Sequence, residues 1–541
     1  MIPQNPLKNA LTRRAGEVAP EALHTIVQLW TKEHPEDTAQ KEFLLSPFPV
    51  KMRAELPFLA PHLTESLEQS GRHDSKTYTT IEWESQALLE SILKEYVKNR
   101  QRHGIQNASA LLVDYRTMEV KALAGSYDFF NDEIEGQIDG TRAPRSPGSA
   151  LKPFVYALAL EQGLIHPMTI LKDAPMGFGA YLPENIDGKF QGPITAQDAL
   201  IRSRNIPAAY LATQIKNPDL YDLLVKTEIN GLKSRDHYGL ALVLGAMEIT
   251  MRELTSLYAA LANGGKWSPL LFLSHKPKEA PAQNRALNSS QSVTLFSPEA
   301  AHITVSMLRQ NPPPSSHAGL KYTLGSLPVA WKSGTSFGYK DGWAVGIFGP
   351  YVLAVWVGNF NGEGNPSFVG RYGAAPLLFQ IKEALETQFY PLVSPEEPLD
   401  LNVSTTEVCA ASGGLPGPHC PVTQKTLFIP GKSPIVPDTI YRMIYVRPDT
   451  GLRAATRKRR VLSHRSMSSG PVTCSTSSGR RVFHGEARPP LLPNAPTPRR
   501  ESTRRSPHRG SASSTRCKQI NLCKFPSARS PTPTPLPSIG L

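Results

Sequence analysis

Between residues 76 and 108, apolar Ile81, Trp83, Leu88, Leu89, Ile92, Leu93 and Val97 recur near helical spacing, so IEWESQALLESILKEYVKNRQ predicts one amphipathic helix. The next stretch, ALLVDYRTMEVKALAGS (110–126), holds two apolar-rich runs around polar Arg116 and Thr117, the pattern of a β-hairpin. From about 140 to 265 the pattern is mainly helical, with proline and glycine punctuation. It changes again between 328 and 360, where PVAWKSGTS, GWAVGIFG and YVLAVWVGNF read as an antiparallel meander with turns at Tyr339–Asp341 and Gly349–Pro350. Helical sequence between an early hairpin and a late meander predicts an α+β domain over 109–388, in which both ends supply one antiparallel sheet flanked by helices.

The flanks read differently. Residues 1–60 are interrupted by Pro20, Pro35, Pro47, Pro49 and Pro57, and 61–108 form a linker that carries the amphipathic helix. Short runs rich in proline and glycine over 389–455 predict part of a small β-rich domain. From 456 to 541 the composition turns to Arg, Ser, Pro and Thr with almost no aromatics, too little apolar surface to fold, so a disordered tail is expected.

Composition changes this picture in two places. The net charge of +13 would suggest a nucleic-acid or membrane-surface protein, but it belongs to the tail, where only Glu486 and Glu501 oppose the arginines and lysines beyond Arg457. The rest of the chain is close to neutral, and no nucleic-acid partner is expected. No apolar run is long enough for a membrane anchor, and the first thirty residues lack the pattern of an export signal. Cys409 and Cys420 frame a short Gly/Pro-rich loop, which suits a disulfide in an oxidising compartment or, with His419 nearby, part of a metal site.

Three short motifs carry chemistry: Ser149-Ala-Leu-Lys152, Ser203-Arg-Asn205 and Lys332-Ser-Gly-Thr335. A serine hydroxyl is a weak nucleophile at neutral pH and needs a base beside it. Residues three apart on a helix share a face, so Lys152 neighbours Ser149. Ser146-Pro147-Gly148 predicts a turn into a helix, whose free N–H groups favour negative charge at Ser149 and disfavour a protonated Lys152. Pro153 removes a backbone bond and predicts an irregular first turn. The same four-letter pattern recurs at Ser91–Lys94, but inside the predicted amphipathic helix and without a lead-in turn, where it reads as a solvated face.

In ALIRSRNIPA, Pro207 opposes helix at Ile206, so Ser203 and Asn205 are expected on a loop that aims a hydroxyl and an amide into a cleft. Alone, the triplet would pass for a polar turn. Lys332 stands in an apolar strand, as a functional cation or as an edge lysine that discourages aggregation. Gly334 is expected to let a substrate backbone approach. In this order, and each in suitable local structure, the three motifs together outweigh the bland reading that each has alone.

Around these motifs, RSPGSALKPFVYALALEQGLI, YLPENIDGKFQGPITAQDALIRSRNIPA, EITMRELTSLYAALANGG and WKSGTSFGYKDGWAVGIFG together resemble the acylation site of class A penicillin-binding proteins. VCAASGGLPGPHCPVTQKTLFIPGKSPI resembles the C-terminal domain of their 1C type. The resemblance runs from about residue 1 to 455 and implies a penicillin-binding transpeptidase fold. It implies a peptidoglycan D,D-transpeptidase that cross-links stem peptides ending in D-Ala-D-Ala and is acylated by β-lactams, on the periplasmic face of the bacterial inner membrane, without metal or cofactor. Ser149 would then be the nucleophile, Lys152 its base, Ser203 and Lys332 a proton relay, Asn205 a ligand for the substrate amide, and Thr335 a ligand for its terminal carboxylate. Residues 1–60 resemble only the end of the family's glycosyltransferase domain, so that activity is not expected. After 455 the family pattern stops, and the tail reads as out-of-frame sequence, with a genuine basic tail that binds anionic wall or nucleic-acid polymers as the rival reading. A D,D-carboxypeptidase or β-lactamase, or a non-catalytic penicillin- or peptidoglycan-binding remnant, are the competing readings.

Overall fold

The computed structural model describes Lys32 and residues 58–71, 76–179, 181–274, 292–317, 326–389, 400–446 and 463–468. The proline-interrupted opening therefore lies almost wholly outside the described residues. So does the segment after 455, apart from one strand.

Helix α1 (Trp83–Arg100) precedes the hairpin β1 (Asn107–Asp114) and β2 (Glu119–Ala124). Helices α2 (Lys152–Glu161), α3 (Asn205–Gln214), α4 (Met251–Ala262) and α5 (Pro298–Arg309) follow, among shorter turns. The meander is β3 (Ala330–Thr335), β4 (Asp341–Phe348) and β5 (Tyr351–Gly358), closed by helix α6 (Ala375–Gln388). These strands form one five-stranded sheet in the order β2-β1-β5-β4-β3, antiparallel throughout. Asn107 pairs with Gly358 and Asp114 with Tyr351, so the early hairpin and the late meander share a sheet, as the hydropathy pattern predicts.

Side chains alternate across a strand, and here both faces are covered. Leu111, Val113, Trp343, Val345, Val352, Ala354 and Trp356 pack towards α2, α4 and α5. Ala110, Leu112, Ala344, Leu353, Val355 and Val357 pack towards α1 and α6. A sheet buried on both sides needs apolar residues at every position, which is why β4 and β5 read as continuous apolar runs rather than alternating ones.

Helix α1 buries Leu89, Ile92, Leu93, Tyr96 and Val97, and Tyr96 donates to Gly373 O at 2.6 Å. Two positions assigned to its apolar face depart from expectation. Ile81 precedes the helix, and Trp83 is exposed. The chain before α1 is tied instead by Thr80, whose hydroxyl donates to Val120 O and Leu271 O.

Strands β6 (Ser404–Cys409) and β7 (Thr423–Phe428) pair antiparallel, and Cys409 is bonded to Cys420. The two sulfurs thus bind each other rather than a metal. This hairpin docks behind α2, where His166 meets Gly413 O at 3.0 Å and Thr426 Oγ1 at 3.3 Å, and Lys432 pairs with Glu161 at 2.8 Å. Farther on, Tyr441–Val446 pairs with Ser463–Ser468, which falls within the segment read as disordered. Backbone pairing asks for no apolar side chain, so a polar segment can enter a two-stranded ladder. Among the described residues no helix is long and apolar enough to cross a membrane.

Candidate active site

Ser149 lies in a single 3-10 turn, Gly148–Leu151, that runs directly into α2. Pro153 stands in the first turn of α2, where its missing N–H removes no helical bond, so the irregularity expected there takes the form of the tighter turn. Gly148 has φ +52, and a Cβ there would strike the Thr335 carbonyl. A Cβ at Gly334 would strike Pro147 O and Ala150. The glycine expected to admit a substrate backbone therefore admits the serine turn itself. The turn is held from three sides: Tyr258 Oη donates to Ala150 O (2.7 Å), Trp343 Nε1 to Ser146 O (2.9 Å), and Ser146 Oγ to Gly245 O (2.7 Å). The Ser149 side chain, half-buried, hydrogen-bonds to none of the described residues and opens on a cleft of about 1540 Å³.

Ser203 and Asn205 come to the same cleft by another route. Ser203 has φ +60, a left-handed corner between two helices, and α3 begins at Asn205. The loop expected across Ile206 is therefore helix. Pro207 sits in its first turn, where no backbone partner is lost. Lys332 reaches over from β3, and its Nζ donates to Ser203 Oγ and to Ser333 O, each at 2.8 Å. Lys152 Nζ donates to Ser203 O (2.8 Å), Arg204 O (3.2 Å) and Asn205 Oδ1 (2.5 Å). Thr335 accepts from Gly370 N at 3.0 Å and lines the cleft beside Ser149, Ser203 and Asn205. All six sequence-selected residues thus meet at one place. The second Ser-x-x-Lys copy does not: Ser91 is exposed, and Lys94 pairs with Asp128 at 3.4 Å on the far side of the sheet.

Both lysines are fully buried. Burial, with the charges of Lys332 and Arg204, holds Lys152 well below the usual lysine range. Burial and Arg371 bring Lys332 down to about 7. A lysine on an edge strand that served only to discourage aggregation would point to water, and Lys332 does not.

Five residues that motif reading passed over organise this site. Arg204, inside the second motif, is buried and pairs with Asp173 (2.8 Å) and Asp187 (2.9 Å). Asp173 also accepts from Asn185 Nδ2 (2.8 Å), and Asn185 Oδ1 takes the Asn205 N–H (2.8 Å), so the pair anchors the corner that carries Ser203 and Asn205. Arg371 hangs over the Trp331 ring beside the β3 end of the cleft. A lone Asp in LKDAP gives no local hint of a partner 31 residues away. Asp173→Ala leaves Arg204 buried and half unpaired, and is expected to cost about 3–5 kcal/mol in urea unfolding. A loss under about 1 kcal/mol would show that the pair does not anchor this corner.

A serine at the head of a buried helix, with two buried lysines and a second serine against an edge strand, is the arrangement that the resemblance to penicillin-binding transpeptidases implies. In agreement, residues 108–359 match the penicillin-binding protein transpeptidase domain, and 401–443 the C-terminal domain of penicillin-binding protein 1A. The chain therefore carries a penicillin-binding transpeptidase domain, followed by a C-terminal domain of the penicillin-binding protein 1A type. It is 32% identical over 397 residues to penicillin-binding protein 1C of Escherichia coli (strain K12), covering 71% of this chain and 47% of that protein. To penicillin-binding protein 1B of the same organism it is 28% identical over 357 residues, covering 63% and 41%. The chain thus spans about half or less of the length of these curated relatives. The crystal structure of penicillin-binding protein 1A from Haemophilus influenzae shares the fold, with TM-score 0.59 at 16% identity, over 77% of this chain and 83% of that one.

Proposed function

We propose that this chain is a peptidoglycan D,D-transpeptidase acting through an acyl-serine at Ser149, on the periplasmic face of the inner membrane. The observation that carries this reading is the single cleft in which Ser149 opens above Lys152, Ser203 and Lys332, two of them buried amines with lowered proton affinity. Ser149 Oγ attacks the carbonyl carbon of the penultimate D-alanine, and its proton passes to neutral Lys152. The tetrahedral oxyanion is held by the backbone N–H groups of Ser149 and Thr335. The intermediate collapses with cleavage of the C–N bond; Ser203 protonates the departing D-alanine amine and is re-protonated by Lys332. Asn205 holds the substrate amide, and Thr335 the terminal carboxylate. The amine of a second stem peptide then attacks the ester by the reverse path, which forms the cross-link and frees Ser149. A β-lactam carbonyl enters at the first step and leaves a stable ester.

Intact-mass analysis after incubation with penicillin, and then with a stem pentapeptide and an amine acceptor, tests this. A persistent Ser149 adduct and an amide product are expected. Rapid loss of the penicillin adduct would instead indicate a β-lactamase, and release of D-alanine to water alone a carboxypeptidase. No adduct at all would leave a binding remnant.

The reactive state combines neutral Lys152 with protonated Lys332. The acylation rate is therefore expected to fall as pH rises through about 7, where Lys332 loses its proton. In Lys332→Arg, whose guanidinium keeps its charge, that limb should move beyond the range of the assay. A limb left at the same pH in this variant would assign it to another group.

A further inference from the structure

Arg371 lines the active cleft next to Gly370, whose N–H is bonded to Thr335 Oγ1 at 3.0 Å. Its guanidinium is held in place: one amino group donates to Asn311 Oδ1 (3.0 Å), the other to Pro312 O (3.2 Å), and its carbon lies 5.1 Å from the centre of the Trp331 ring. Neutral acceptors alone hold it. Among the described residues no carboxylate pairs with this cation, whereas the two other cleft-lining arginines held in the wall are matched, Arg204 by Asp173 and Asp187, and Arg145 by Asp341.

A half-buried guanidinium that is fixed but uncompensated carries a desolvation cost that an incoming anion relieves. Arginine has five donors, and two bonds leave others free for a planar oxyanion. The Ser149 turn lies directly against Thr335, since a Cβ on Gly148 would collide with it. On the transpeptidase reading Thr335 takes the donor's terminal carboxylate, and Arg371 directly follows Gly370, whose N–H is on Thr335 Oγ1.

We propose that Arg371 is a substrate-anchoring residue that binds the C-terminal carboxylate of the donor peptide, or the ring carboxylate of a penicillin, at the Ser333–Thr335 end of the cleft. This rests on the transpeptidase reading. It also accounts for a cation kept in the wall with no acidic partner among the described residues.

The test compares a penicillin with its methyl ester as acylating agents of the full chain. Arg371 also bears on the protonation of Lys332, an effect common to both reagents, so the ratio of their second-order rates isolates the anchor. In Arg371→Gln the acid-to-ester ratio is expected to fall about 10- to 100-fold, the worth of one charge-assisted bond. Arg371→Lys, which keeps the charge, should retain most of the ratio. Thermal melting of both variants checks that they fold. An unchanged ratio in Arg371→Gln overturns the proposal, because Arg371 would then act only through Lys332. If the wild-type chain is acylated by neither reagent, the transpeptidase reading fails, and the anchor is decided by titrating Ser149→Ala protein with acetyl-D-Ala-D-Ala and its C-terminal amide. Preference for the acid, lost on adding Arg371→Gln, supports it; equal binding of acid and amide overturns it.

Discussion

Ser149→Ala is expected to abolish covalent capture of a fluorescent penicillin, with acylation falling by at least about four orders of magnitude, the scale of nucleophile loss in serine acyl transfer. Ser203 is another hydroxyl lining the cleft, but it already accepts from Lys332 at 2.8 Å, and a protonated lysine on a hydroxyl makes it a proton donor rather than a nucleophile. The folded state should be nearly indifferent to this change, since the Ser149 hydroxyl bonds to none of the described residues. Unfolding free energy is expected to stay within about 0.5 kcal/mol of the wild type. Ser91→Ala is the matched control: the same local motif on an exposed helix face, with labelling expected at the wild-type rate. Retained labelling in Ser149→Ala would remove the nucleophile from this account.

Lys152→Met is expected to lower the acylation rate about 10²- to 10⁴-fold, the range of general-base removal, with the unbranched stem keeping most of the buried volume. Unlike the serine change, this one also touches the fold. It leaves the Ser203 and Arg204 carbonyls and Asn205 Oδ1 without the donor that now satisfies them. Each unsatisfied buried acceptor costs about 1–3 kcal/mol, partly recovered because a buried polar amine is no longer desolvated. Rates must therefore be taken on the folded fraction, measured by urea titration of the same preparation. A folded Lys152→Met protein acylated at the wild-type rate would assign the base to another group, with Lys332 the first candidate.

What could be read from the chain and what could not divide along a physical line. Periodicity and near-neighbour spacing are local properties, and local properties survive in a sequence. The helix over Trp83–Arg100, the early hairpin and the late meander follow from the repeat of apolar positions. The position of Lys152 one turn beyond Ser149, at the start of the helix, follows from their spacing. Pro207 misled for the same reason: the rule that a proline disfavours helix before it is local, and the context that let a helix begin at Asn205 is not.

The chain by itself thus determined the class of fold, the order of the three motifs and the residue types available for acyl transfer. Only the tertiary structure showed that Ser149 opens on a cleft, and that Gly334 makes room for the Ser149 turn. It alone brought Lys332 to Ser203 across 129 residues and Asp173 to Arg204 across 31, and left Arg371 without an acid among the described residues. The reactivity of the two lysines belongs to this second group. Desolvation and Coulomb interaction depend on what surrounds a side chain in space, and those neighbours arrive from distant segments only when the chain has folded.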